Sequence, residues 1–207
     1  FTDSSADKKT INTVIKTGEA NLNVYQEDST GTQTLLSKSL PTGYTQLEYI
    51  ESTGTQYIDT GYYANPKTKI QVDFAYTKLT QQQRIFGHSY DSDDGSGLTF
   101  CCYISGGDVI SYASKDGGGE WSWSTVTVSK DRIVVTMDAV TSKITITGDN
   151  ANFSGAMNAF TRTSTVSLSL FKDNGRHSVS MNSSAKIYSS KIWNGGSLVR
   201  NLVPAKN

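Results

Sequence analysis

The chain has 207 residues, of which 36% are hydrophobic, and its 19 basic and 19 acidic residues give a net charge of +0. This length suffices for one large all-β domain or two small ones without metal or disulfide cross-links. The balanced charge, with no basic stripe, argues against a nucleic-acid partner. No apolar run is long enough for a membrane span, and three prolines are too few for a proline-rich stalk.

The first 39 residues differ in composition from the rest of the chain. They contain few large apolar residues and are rich in Thr, Asn, Lys and Asp. Residues 11–16 and 20–26 read as two strands separated by a turn at residues 17–19, and the second strand alternates apolar with polar positions. We therefore predict an N-terminal extension over residues 1–39, followed by a separate domain over residues 40–207.

Short strands follow one another from residue 40 to the end of the chain. The alternation is clearest over residues 70–76, where every second residue is a large apolar or aromatic one. Further strands are predicted at residues 84–88, 98–104, 108–113, 120–128, 132–137, 143–147, 165–171, 186–193 and 198–203. Only residues 152–160 look helical or irregular. The pattern predicts an all-β fold, an antiparallel jelly-roll sandwich of two packed sheets.

Three segments of this second domain resemble a known family. They are LPTGYTQLEYIESTGTQYIDTG at Leu40–Gly61, RIFG at Arg84–Gly87, and KIYSSKIWNGGSLVRNLVPAKN at Lys186–Asn207. Together they are similar to the concanavalin-like, laminin-G-like jelly-roll modules of Gram-positive surface proteins and phage proteins. The resemblance implies the fold more strongly than the function, because this fold serves lectins, hydrolases and structural modules.

The N-terminal segment Phe1–Val24 resembles a different family, the camelysin and TasA-like proteins secreted by Gram-positive bacteria. The similarity lies in an initial aromatic residue, a Thr-Asp pair, a Lys/Thr-rich stretch, a Thr-Gly pair and an alternating strand. These features occur at Phe1, Thr2-Asp3, Lys8-Lys9-Thr10, Thr17-Gly18 and Leu22-Asn23-Val24. The resemblance implies a processed, secreted protein that acts outside the cell or at the cell surface.

In that family the N-terminal segment of one subunit completes a sheet in the next, and the subunits form matrix fibres. Here the resemblance implies a homo-polymer in which Phe1, Ile11, Val14 and Ile15 supply the inter-subunit strand. A lent strand gains ladder hydrogen bonds, and a repeated head-to-tail contact builds a filament. Two alternatives stay open: the segment forms a strand within its own subunit, or it is a flexible tether.

No pattern of catalytic or metal-binding residues stands out. The two histidines, His88 and His177, are far apart and lie in no metal-ligand motif, and no nucleophile motif occurs. The adjacent Cys101 and Cys102 fall on opposite faces of a strand, which disfavours a disulfide between them. The acidic run Asp91–Gly95 fits a solvated turn better than a calcium loop. We therefore expect no enzyme activity, no metal and no cofactor.

Three aromatic residues suggest a second function, the binding of surface glycans. Trp121 and Trp123 share one face of a strand, and Tyr112 lies near them in the hairpin order. Exposed aromatic rings on a jelly-roll face stack against sugars in lectin-like modules. Large aromatic residues at alternate positions are equally typical of a sandwich core. The sequence thus favours a filament subunit and offers a lectin-like module as the alternative.

Overall fold

The computed structural model describes residues 9–14, 21–27, 33–35, 40, 43–79, 83–89, 99–106, 109–116, 122–127, 131–148, 151–175 and 182–206. Every regular element in these ranges is a strand. No helix that could cross a membrane occurs among them. The predicted all-β class is therefore confirmed.

The strands follow in chain order. They are β1 (Lys9–Val14), β2 (Asn21–Glu27), β3 (Gln33–Leu35), β4 (Thr45–Gln46), β5 (Ile50–Thr53), β6 (Ile58–Tyr63), β7 (Thr68–Tyr76), β8 (Gln83–Ser89), β9 (Thr99–Gly106), β10 (Val109–Lys115), β11 (Ser122–Thr127), β12 (Ile133–Asp138), β13 (Lys143–Gly148), β14 (Ala151–Ala156), β15 (Ser167–Leu170), β16 (Asn174–Gly175), β17 (Ser184–Asn194), β18 (Ser197–Leu202) and β19 (Ala205–Lys206).

Two large sheets form the sandwich. Sheet I has the order β11-β10-β9-β8-β15-β6, with the short β16 pairing beside β8. Sheet II has the order β14-β13-β12-β7-β17-β18, with β5 pairing on β17. Neighbours within both sheets are antiparallel, apart from the parallel β16–β8 pair. This is the antiparallel two-sheet jelly roll that the strand pattern predicts.

The core lies between the two sheets and follows the period-two pattern of their strands. On β7 the alternate residues Ile70, Val72 and Phe74 are fully buried, as the sequence predicts. Sheet I contributes its own alternate positions, including Phe100 and Leu168, from the opposite side. Because successive residues of a strand face opposite ways, the residues between these core positions lie on the outer face of each sheet.

The prediction for residues 152–160 is wrong in its first half. Residues 151–156 form β14, an edge strand that pairs antiparallel with β13, and residues 157–160 are irregular. The sequence ANFSGA contains one large apolar residue, Phe153, so it carries no alternation that would predict a strand. Its strand conformation comes from the ladder offered by β13, while Phe153 packs against the core.

The three strands ahead of residue 40 form a sheet of their own. In the described residues β1 pairs antiparallel with β2, and β2 pairs antiparallel with β3. None of the three shares a hydrogen-bonded ladder with sheet I or sheet II. The division of the chain into residues 1–39 and 40–207 stays a prediction.

Burial of two ionisable groups makes the core sensitive to alkaline pH. Burial raises the pKa of the Tyr76 hydroxyl well above its ordinary value of 10.0, and the neighbouring Cys102 thiol raises it further. The pKa of Cys102 is also raised well above its ordinary value of 9.0, mainly by burial. Above these ordinary values the unfolded chain loses protons that the folded chain keeps. The contribution of these two groups to the free energy of unfolding is therefore fully present below pH 9.0. It is lost as the pH rises further.

The Tyr76→Phe variant tests this account of the core. The Tyr76 hydroxyl is buried and has no hydrogen-bond partner among the described residues, so removing it should raise the free energy of unfolding by about 1 kcal/mol at neutral pH. The variant should also lose less stability above pH 10.0 than the parent chain. Urea unfolding at neutral pH and above pH 10.0 measures the effect. Tyr63→Phe is the matched control, because Tyr63 is exposed. Equal alkaline losses in all three proteins would contradict the account.

Candidate functional site

The described residues that were predicted for glycan binding lie on β10 and β11, at one edge of sheet I. Tyr112 is in β10 and Trp123 is in β11, whereas Trp121 is outside the described residues. The register pairs Trp123 with Ala113, and it pairs Tyr112 with the next position, Ser124. Tyr112 and Trp123 thus occupy adjacent rows of the ladder rather than the same one. That the three aromatic residues form one platform stays a prediction.

The row that contains Trp123 continues across the whole of sheet I. Ala113 pairs with Cys101, Cys101 with Gly87, Gly87 with Ser169, and Ser169 with Asp59. Directly paired residues of antiparallel strands share one face of a sheet. The flanking residues Leu168 and Leu170 are in the core. The row of Cys101, Gly87 and Ser169 therefore belongs to the outer face of sheet I.

This outer face is polar. We define the polar face by the residues on it whose side chains are described: Asp59, Tyr63, Arg84, Ser89, Cys101, Ser167, Ser169, Asp173 and Asn174. They come from the neighbouring strands β6, β8, β9 and β15, from the turn after β15, and from β16, which pairs beside β8. The face is thus assembled by the sheet and not by a single loop.

An ion pair forms the floor of the polar face. Arg84 Nη1 lies 3.1 Å from Asp173 Oδ2, and the side chains are only 20% and 9% exposed. Ser89 Oγ donates a hydrogen bond to the same carboxylate oxygen. Arg84 Nη1 also lies 3.2 Å from the sulfur of Cys101. The guanidinium is therefore tied to both β9 and the turn after β15, which holds its position.

Gly87 allows the close approach of β8 and β9 beneath this ion pair. Its φ is +135°, and a Cβ atom built on it would collide with the Phe100 carbonyl oxygen and come within 2.5 Å of the Cys101 Cα. The atoms that a side chain would meet are two backbone atoms and the Cβ of Cys101, which cannot move aside within the ladder. Only glycine fits this position.

The rim of the polar face combines an aromatic ring with hydrogen-bonding groups. Tyr63 on the edge strand β6 is 50% exposed and is paired with Ser167. Asn174 Nδ2 donates to Ser167 Oγ at 3.2 Å. The Asp59 carboxylate is exposed and accepts a bond from the Gly61 amide at 2.9 Å. Between these groups Ser169 is buried, and its hydroxyl has no hydrogen-bond partner among the described residues.

The sequence predicted none of the residues of the polar face as binding residues, and Tyr63 and Asp173 show why. Tyr63 follows Tyr62 at the end of β6, and adjacent strand residues face opposite ways, so one of the two rings must lie outside the core. Tyr62 is the buried one. That signal was available from the sequence. The position of Asp173 depends on the turn between β15 and β16, for which the sequence gives no comparable pattern.

A second aromatic cluster lies near one end of sheet II, but its rings are covered. The Arg132 guanidinium lies 3.9 Å from the ring centre of Tyr188, and Lys186 Nζ lies 4.0 Å from that of Tyr49. Two bonds of 2.7 Å tie Arg132 to the Asp73 carboxylate, and these bonds raise the pKa of Arg132. Because cations already occupy these ring faces, the cluster offers less aromatic surface to a ligand than Tyr63 does.

The histidines form no metal site in the part of the chain that is described. His88 is fully buried in β8 and is paired with Phe100, whereas His177 and the acidic run Asp91–Gly95 lie outside the described residues. Among the described side chains, no three His, Cys, Asp or Glu residues come together as metal ligands would. Cys101 and Cys102 are both buried and form no disulfide with each other, in keeping with the prediction that disfavours this bond.

The N-terminal residues predicted for an inter-subunit strand are only partly described. Ile11 and Val14 are in β1, where they pair with Val24 and Asn21 of β2. Phe1 and Ile15 lie outside the described residues. In the single chain β1 therefore pairs within its own subunit, which is one of the alternatives that the sequence leaves open. The lending of this strand to a neighbour stays a prediction.

Comparisons with known proteins support the fold. No protein-family model and no curated protein sequence matches the chain. Among solved structures, the CBM40 carbohydrate-binding module of the Ruminococcus gnavus IT-sialidase, bound to α2,3-sialyllactose, is similar with a TM-score of 0.54 and 13% identity. The match covers 76% of this chain and 93% of that one.

Two further structures extend this likeness. The mouse laminin α1 chain, domains LG4-5, matches with a TM-score of 0.51 and 12% identity over 81% of this chain and 48% of that one. The tailspike protein 2 of bacteriophage CBA120 matches with a TM-score of 0.51 and 11% identity over 76% of this chain and 29% of that one. At such low identities the likeness shows the fold alone. The chain has the jelly-roll fold shared by carbohydrate-binding modules and laminin G domains.

Proposed function

We propose that the chain is a carbohydrate-binding module and that the polar face of sheet I is its binding site. The observation that carries this proposal is the exposed ring of Tyr63 on the same face as the exposed Asp59 carboxylate and the partly exposed Asn174 amide. Sugars present C–H surfaces that pack on aromatic rings and hydroxyl groups that need polar partners. The face supplies both kinds of contact within a few residues.

The floor of the face suits this role because it is held in place before a ligand arrives. Arg84 and Asp173 are locked by their ion pair and by Ser89, so a ligand need not order these long side chains when it binds. Such preorganisation lowers the entropic cost of association.

The comparisons are consistent with this proposal, since the CBM40 module is described in complex with sialyllactose. The present chain shares only the fold with it, so the sugar is left open. A carbohydrate-binding role also fits a protein that acts outside the cell or at its surface. We assign the face no catalytic step.

Removing the Tyr63 ring tests the proposal. The parent chain should bind at least one class of glycan on an array, and Tyr63→Ala should weaken that binding about tenfold or more, which corresponds to about 1.4 kcal/mol. Val140→Ala is the matched control, because Val140 is exposed but lies in the β12–β13 turn of sheet II. A blank array for the parent chain would contradict the proposal, as would equal binding by the two variants.

Polymerisation through the N-terminal segment is a separate proposal. It rests on the resemblance of residues 1–24 to secreted fibre proteins and on the strand conformation of β1. A chain lacking residues 1–16 should stay monomeric under conditions in which the parent chain forms fibres in negative-stain microscopy. Fibres from the shortened chain would show that another contact drives assembly.

A further inference from the structure

Arg200 bridges the edge strands of the two sheets. It belongs to β18, the edge strand of sheet II, and its side chain reaches β6, the edge strand of sheet I. Arg200 Nε donates to the Thr60 carbonyl oxygen at 3.2 Å, and Nη1 donates to the Val199 carbonyl oxygen at 2.8 Å. The bulge between β6 and β15 leaves Thr60 outside the paired positions of the ladder. The guanidinium thus sits, partly buried, between the two sheets.

The charge of Arg200 has no carboxylate partner among the described residues. The other three arginines that the structure describes each pair with an aspartate: Arg84 with Asp173, Arg132 with Asp73 and Arg162 with Asp116. Among the described residues, both hydrogen bonds of Arg200 go to neutral carbonyl oxygens, and burial lowers its pKa. A partly buried charge without a counter-charge is costly unless something compensates it.

The groups around Arg200 favour an anion over a cation or a neutral group. A guanidinium has five N–H donors, and in the described part of the chain two of those of Arg200 have hydrogen-bond partners. The hydroxyl of Tyr62 interacts electrostatically with Arg200, and burial keeps this hydroxyl protonated by raising its pKa. Asn65 Nδ2 donates to the same hydroxyl at 3.1 Å. Since the Tyr62 hydroxyl is bonded to both Thr68 and Asn65, the guanidinium of Arg200 supplies the donors at this edge.

We propose that Arg200 is an anion-binding residue and that the β6–β18 edge takes a carboxylate, sulfate or phosphate group of a ligand. The fork of a guanidinium binds such groups with two parallel hydrogen bonds. This site is distinct from the polar face, although β6 carries both Thr60 and Tyr63. An acidic sugar that reaches over the edge from the polar face is one source of the anion, and a free inorganic anion is the other.

The test follows the Arg200 side chain directly by NMR. Sulfate, methyl glucuronide and methyl glucoside are titrated separately at constant ionic strength into the ¹⁵N-labelled full chain, and the Nε–Hε resonance of Arg200 is recorded. Sulfate, methyl glucuronide or both should shift this resonance saturably, whereas the uncharged glucoside should not. No shift, or a shift that rises linearly without saturation, would overturn the proposal.

Variants separate the two sources and guard against misfolding. Arg200→Gln should abolish saturable anion binding. The control Lys143→Gln, which removes one exposed charge from sheet II, should leave this binding unchanged. Far-UV circular dichroism checks that each variant is folded. If Tyr63→Ala loses glucuronide binding but keeps sulfate binding, the anionic group that Arg200 binds belongs to a sugar held on the polar face. If Tyr63→Ala keeps both glucuronide and sulfate binding, Arg200 forms an anion site that is independent of the polar face. Anion binding that survives Arg200→Gln would refute the site, and this outcome leaves the proposed glycan function standing.

Discussion

Replacing Gly87 with alanine is expected to lower the free energy of unfolding by about 4 kcal/mol. A non-glycine residue at a φ of +135° costs on the order of 1–3 kcal/mol in backbone strain. The added Cβ would also collide with the backbone of β9 at Phe100 and Cys101, and overpacking of this kind costs about 1–3 kcal/mol more. Urea unfolding of the variant measures the sum.

Gly61→Ala is the matched control for this variant. Gly61 also has a positive φ, of +62°, but a Cβ there would meet nothing within 4 Å. Only the left-handed conformation should count against alanine at this position, at about 1 kcal/mol. Similar losses in the two variants would show that backbone strain alone, and not the close approach of β8 to β9, explains the need for glycine at position 87.

Asp173→Asn should cost about 3 kcal/mol, the second large effect. The substitution leaves the Arg84 guanidinium mostly buried without its counter-charge, and removing one partner of a buried ion pair typically costs about 3–5 kcal/mol. We take the lower end because Arg84 keeps 20% of its surface exposed. The double variant Arg84→Met/Asp173→Leu removes both charges and should be more stable than Asp173→Asn.

The exposed ion pair of sheet II supplies the control. Asp73→Asn breaks the pair with Arg132, whose side chain is 53% exposed, and exposed pairs contribute about 0–1 kcal/mol. Thermal and urea unfolding should therefore separate Asp173→Asn clearly from Asp73→Asn. Equal losses would mean that burial does not set the strength of the Arg84–Asp173 pair, and the floor of the polar face would then be less rigid than we propose.

The parts of the fold that could be predicted from the sequence are those with a strong local pattern. The alternation of Ile70, Val72 and Phe74 predicts β7 and its buried face correctly, because a strand with one buried face needs that spacing. The hairpin formed by β9 and β10 was likewise evident from two apolar runs around a glycine-containing loop. β14 could not be predicted, since its small polar residues owe their conformation to β13.

The candidate site was less predictable because it depends on contacts between distant segments. Arg84 and Asp173 lie on β8 and beyond β15, strands that neither adjoin in sequence nor share a local motif. Only the strand order of sheet I brings these two residues together. The exposed position of Tyr63 could have been inferred from the Tyr62-Tyr63 pair. The unpaired charge of Arg200 becomes apparent only when the counter-charges of the other arginines are known.

The central claim is that sheet I binds sugar through its polar face. Its most direct test is chemical-shift mapping with the sugar that gives the strongest signal on a glycan array. The largest shifts of the backbone amides should fall at Tyr63, Ser167 and Asn174, with smaller shifts in sheet II. Shifts centred on Tyr49 and Tyr188 would place the sugar on the opposite sheet and contradict the claim, as would the absence of any binding sugar.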